Sequence, residues 1–107
     1  MNGAEALMID GLIAGRLIGD PERRQGKGDS TYVVARVRAQ GSDGEALMVN
    51  LIAFDDAPCA VLLALRDGDS VAAAGALNPK VWTDKQGNTK PALDLVAHRV
   101  VSTEPVF

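Results

Sequence analysis

The chain has 107 residues, 47% apolar and 23% charged, with a net charge of −3. This is close to the globular average and excludes a disordered or collagen-like chain; the length fits one domain over residues 1–107, with an ordered core from about 7 to 101. The acidic balance excludes a uniformly basic nucleic-acid binder but leaves room for a basic patch. Leu7 to Ile18 reads as a first strand, with Gly11 and Gly15 marking a bulge or bend, and Asp20-Pro21 ends it. Its apolar run is interrupted and has no basic flank, which argues against a signal peptide or a membrane span and for a soluble, cytoplasmic protein. Arg23, Arg24 and Lys27 then fall in a loop.

The period from Tyr32 to Ala39 is two. Val33, Ala35, Val37 and Ala39 form an apolar face, opposite Tyr32, Val34, Arg36 and Arg38. Leu47 to Phe54 alternates in the same way. Asn50 marks Met48, Asn50, Ile52 and Phe54 as the outer face, an unusually apolar one for a strand in water. Ala57 to Leu65 breaks the period and predicts a short helix, with Asp55 and Asp56 as candidate N-caps, Pro58 in the first turn and Gly68 beyond its end. Ser70 to Leu77 and Leu93 to Val101 are two further strands, and Asp84-Lys85-Gln86-Gly87-Asn88 is the turn between them. The expected fold is all-β, a five-stranded Greek-key barrel of the OB type with one short helix between strands three and four.

Charge is segregated along the chain. Residues 16–38 carry a net +3 and residues 80–90 a net +2, whereas residues 43–69 carry −5. Cys59 and His98 are the only residues of their kinds, so no disulfide framework and no multi-cysteine zinc site is expected. Asp55 and Asp56 are adjacent and point to opposite faces if extended, which favours a cap over a metal pair. No phosphate-cradling glycine loop, nucleophilic triad or catalytic carboxylate pair is visible, so neither an enzyme nor a cofactor is expected.

Three stretches carry a resemblance. They are Gly15-Arg16-Leu17-Ile18-Gly19-Asp20-Pro21-Glu22, the run from Val49 through the helix to Asp67-Gly68-Asp69-Ser70-Val71 and Gly75-Ala76-Leu77, and Lys80-Val81-Trp82-Thr83-Asp84-Lys85-Gln86-Gly87. In order and spacing they resemble bacterial single-stranded DNA-binding proteins over roughly residues 7–101. The resemblance implies a protein of replication, recombination or repair that binds single-stranded DNA with little sequence preference. Bases stack on aromatic rings, while Lys and Arg hold the phosphates.

By that resemblance Trp82 and Phe54 are stacking residues, and Met48 stands where the family commonly has a Trp. The second-to-third strand loop is cut to Gln40-Gly41-Ser42-Asp43-Gly44, and Asp55-Asp56 replaces the usual Gly-Lys. The family's Gly/Pro/Gln-rich linker is missing, and Ser102-Thr103-Glu104-Pro105-Val106-Phe107 is at most a remnant of its acidic tail. The resemblance also implies a homo-oligomer, dimer or tetramer, paired along the first strand, with replication or repair proteins as further partners.

Arg36, Arg38, Lys80 and Lys85 are the candidate phosphate contacts, and Tyr32 a further candidate at the start of its strand. Each has a plainer alternative. Trp82 would cover a barrel end, Phe54 would pack under the helix, and the cations would be solvated strand charges. Arg16 would guard an exposed edge, His98 would be an ordinary strand residue and Cys59 a buried helix residue. Two rival functions stay open. One is a primosomal OB protein binding single strands and a helicase, favoured by the short loop and sparse aromatics and disfavoured by the helix. The other is an OB-fold protein-interaction module, favoured by the acidic stretch and the lost aromatics.

Overall fold

Alternation of side chains builds the barrel from its second long strand outward. The computed structural model describes residues 8–103; Leu7 and the segment from Glu104 to Phe107 lie outside them. β3 (Thr31–Gln40) buries Val33, Ala35, Val37 and Ala39 and turns Arg36 and Arg38 to solvent. β4 (Ala46–Ala53) buries Val49, Leu51 and Ala53. Around this pair the sheet adds β1 (Ile9–Leu17), β5 (Ser70–Thr83) and β6 (Thr89–Ser102). The order β1-β5-β6-β4-β3 closes through a β1–β3 pairing at Arg16↔Arg38 and Leu17↔Val37, giving the expected ring of five strands. All neighbours are antiparallel except β4 and β6, which run parallel.

Closure depends on two glycines. Gly15 lies where β1 leaves β5 for β3, and a Cβ there would run into the Arg38 carbonyl oxygen. Gly75 faces a bulge in β6: Ala74 pairs with Arg99 but Gly75 with Ala97, so His98 is the extra residue, and a Cβ on Gly75 would strike the Val96 carbonyl oxygen. The interior is apolar, with Leu17, Val33, Val37, Val49, Leu51, Val71, Leu95 and Ala97 all buried.

α1 (Asp56–Leu63) ends two residues before the Leu65 that the sequence predicts and lies against β6 and β3. Leu62, fully buried, plugs the barrel's end with Leu65; burying one such side chain contributes roughly 1.5–3 kcal/mol. Asp55 occupies the N-cap position but makes no side-chain cap bond. Its carboxylate lies 3.6 Å from His98 Nδ1 instead. Cys59 is half-buried rather than buried, and its Sγ donates to the Ala53 carbonyl at 3.1 Å.

Two expectations are corrected. Arg23 and Arg24 are not in a loop: β2 (Glu22–Gln25) pairs with β3 from Glu22↔Val34 to Gln25↔Thr31, and only the turn around Lys27 is irregular. Arg16 is not a bare edge charge, because Nη1 donates to the Gly68 carbonyl at 3.0 Å. The last hairpin is also longer than expected, since β5 runs on past Leu77 and β6 begins before Leu93.

Candidate nucleic-acid interface

Residues paired across neighbouring strands share a face, so the register shows which side chains meet on the outside of the barrel. One row reads Lys80, Ala92, Met48, Arg38, Arg16 across β5, β6, β4, β3 and β1. The next reads Asn78, Asp94, Asn50, Arg36. A third reads Ala76, Val96, Ile52, Val34, Glu22. Tyr32, paired with Arg24, follows at one end, and Trp82, paired with Lys90, continues the first row outward along the hairpin.

The aromatic residues bracket this face. Trp82 is 42% exposed on the hairpin arm, where among the described residues β5 pairs with β6 alone, and it stands outside the buried cluster. Phe54 is 57% exposed and does not pack under the helix. Its ring stands 5.9 Å from that of half-buried Tyr32, tilted by 43°. From Met48 to Phe54 the strand rises roughly 20 Å. The sequence candidates Trp82, Lys80, Met48, Arg38, Arg36 and Tyr32 therefore share the outer face of the barrel and its hairpin, Phe54 joins them through its contact with Tyr32, and Lys85 sits in the hairpin turn.

That turn is held by Asp84. Its Oδ1 accepts from the backbone N–H groups of Gln86 and Asn88, each at 2.9 Å, and Gly87 adopts φ 87°. The bond from Asn88 foremost, then that from Gln86, holds the Asp84 carboxyl below the usual carboxylate range.

Part of the outer face is concave. A groove of about 1350 Å³ is lined by the charged residues Asp20, Glu22, Arg24, Arg36 and Asp94, with Val34, Ile52 and Val96 as apolar floor. Lys80 is not a free cation: its Nζ is 2.7 Å from Asp94 Oδ1, and Asn50 Nδ2 donates to the same oxygen at 3.2 Å. The sequence reading missed Asp94 and Lys90, although the period of two in β6 would have put both on the outer face.

Part of the acidic stretch is occupied with local structure. Asp67 Oδ1 accepts from Gly19 N at 2.7 Å, Asp69 Oδ2 from Arg66 N at 2.8 Å, and Asp43 Oδ1 from Glu45 N at 2.9 Å. Among the described residues no group of three or more His, Cys, Asp or Glu side chains is placed to hold a metal ion, and no helix is long and apolar enough to cross a membrane.

Comparison with solved structures finds the same architecture. A small single-stranded DNA-binding protein from Streptomyces coelicolor aligns with a TM-score of 0.70 at 17% identity, over 90% of this chain and 94% of that one. The mitochondrial single-stranded DNA-binding protein Rim1 from S. cerevisiae aligns with a TM-score of 0.67 at 18% identity, over 91% of this chain and 96% of that one. No curated protein matches the sequence. The model of the single-strand binding protein family matches residues 8–103, the whole of the described barrel, and the chain belongs to that family.

Proposed function

We propose that the chain binds single-stranded DNA along the outer face of β3, β4 and the β5–β6 hairpin, without chemistry, in replication, recombination or repair. The observation that carries this reading is the pairing of exposed aromatic platforms with a cationic row. Trp82 stands at one end and the Tyr32–Phe54 pair at the other, with Arg38, Met48 and Lys80 in register between β3 and β5. Rings offer stacking to any base, and cations offer charge to any phosphate. Arg36 and Lys85 supply further phosphate contacts. The acidic stretch gives little support to an interaction module, since Asp67 and Asp69 are spent on backbone N–H groups.

Trp82 is the only tryptophan, so its fluorescence reports one site. Oligo-dT is expected to quench it at low salt, and added salt to restore it. Quenching that is absent while another probe detects binding removes Trp82 from the site, and absence of binding by every probe moves the interaction module ahead.

Assembly follows from the edge of β1. It pairs with β5 from Ile9 to Arg16 but reaches β3 only at Arg16 and Leu17, so among the described residues its other edge has no partner from Ile9 to Gly15. Ile9 and Leu12 are exposed there. An open edge of this length is a template for a second strand, and a two-fold dimer across it, with a tetramer built from such dimers, is part of the proposal.

A further inference from the structure

A carboxylate already holds one cation of the outer row. Lys80 stands opposite Ala92 on β6, whose small side chain leaves room for the Lys80 stem to lean toward Asp94, its diagonal neighbour. The ammonium reaches Asp94 Oδ1 at 2.7 Å. Asn50, in register with Asp94 across β4 and β6, donates to the same oxygen at 3.2 Å. The half-buried carboxylate is therefore held from β5 on one side and from β4 on the other. The other two carboxylates that line the groove are tied elsewhere. Asp20 accepts from the Asp67 N–H at 2.8 Å, and Glu22 lies 3.7 Å from Arg24.

We infer that Asp94 is a positioning residue that limits affinity: its carboxylate occupies Lys80 in the place of a strand phosphate and withholds most of that contact from DNA. The inference rests on the strand-binding reading above. A carboxylate and a phosphate offer an ammonium the same thing, a negative oxygen at hydrogen-bond distance, so they compete for it. The carboxylate has the advantage of position. It is built into the sheet and aligned by Asn50, whereas a phosphate of a flexible strand must first be ordered at that spot. A phosphate that took Lys80 would also leave Asp94 half-buried, without its counter-ion and facing a polyanion. Leaving one partner of such a pair alone is the costly outcome. The competition is between two anions, so base identity does not enter and the effect falls on every strand alike.

The test is a salt titration of labelled oligo-dT and oligo-dA, read by anisotropy, with the unaltered protein, Asp94→Asn, Lys80→Ala and the double variant. Asparagine keeps the shape and a carbonyl oxygen that accepts from Asn50, and removes the charge. Asp94→Asn is expected to bind both strands about five-fold more tightly at 50 mM salt and about two-fold at 200 mM, because the freed Lys80 adds close to one contact, about −0.7, to the salt slope. Asp94→Ala, equally uncharged, should steepen the slope by the same amount, which separates the charge from the fit of one side chain. The double variant should lose most of the gain and all of the added slope. A gain that survives whole in the double variant would make Asp94 a general repeller of the strand rather than the holder of Lys80, and overturns the inference. Unchanged affinity and slope in both single Asp94 variants overturn it too, while strand binding by the unaltered protein stands. Failure of every protein to bind either strand overturns both readings.

Discussion

At the scale of single residues, exposure separates the side chains proposed for binding from those that pack the core. Trp82 lies outside the buried cluster and on a hairpin arm, so Trp82→Ala should leave the melting temperature unchanged while weakening DNA binding by about 1–3 kcal/mol. Trp82→Phe should retain part of the affinity, because a ring remains. A fall in melting temperature with affinity intact would return Trp82 to a packing role. Cys59 illustrates the opposite case. Burial foremost, with the Asp56 carboxylate adding to it, pushes its thiol above the ordinary value. The thiolate is the reactive form, so Cys59 should react with a disulfide reagent at pH 8 more slowly than a free cysteine, and denaturant should restore the rate.

Among the elements, the β5–β6 hairpin carries the clearest pH dependence. The Asp84 carboxyl is held low by the backbone N–H bonds of Asn88 and Gln86. A depressed folded value means that the turn's stabilisation is complete above the unfolded value of about 3.9 and is lost as pH falls through the folded one. The hairpin tip should therefore stay intact at neutral pH and loosen in acid. Amide exchange at Gln86 and Asn88 should accelerate below about pH 4, and Asp84→Ala should produce the same acceleration at neutral pH. This turn was legible in the sequence, as were β3 and β4, because one wet and one dry face leave a period of two. β2 was not legible, because all four of Glu22, Arg23, Arg24 and Gln25 are exposed and show no alternation. The hairpin arms were cut short for a related reason. Among the described residues β5 pairs only with β6 past Leu77, every position from Asn78 to Thr83 is exposed, and Pro79 is tolerated on that edge. The resemblance drew its candidate residues from β3, β4 and the hairpin, but the link from Lys80 through Asp94 to Asn50 joins residues far apart in sequence, and no local pattern announces it.

For the whole molecule, assembly and electrostatics give the remaining predictions. The unpaired edge of β1 predicts a dimer or larger assembly, and light scattering that finds only an 11.2 kDa monomer in the tens of micromolar would refute it. The net charge of −3 means that the molecule as a whole does not attract a polyanion. Attraction must come from the local row of cations, and its range is set by screening over roughly 10 Å at 0.1 M salt. Each phosphate neutralised on a single strand contributes a slope of about −0.7 to the dependence of log affinity on log salt. Two to four contacts among Arg36, Arg38, Lys80 and Lys85 then give a slope of about −1.5 to −3. Lys80 belongs at the weak end of that set, because Asp94 already neutralises it at 2.7 Å. Arg38→Ala should thus flatten the slope by close to one full contact and weaken every strand alike, whereas Lys80→Ala should flatten it by less. Equal effects of the two substitutions would mean that the Lys80–Asp94 pair opens when DNA binds, and a slope near zero in the unaltered protein would remove the cationic row from the binding mechanism.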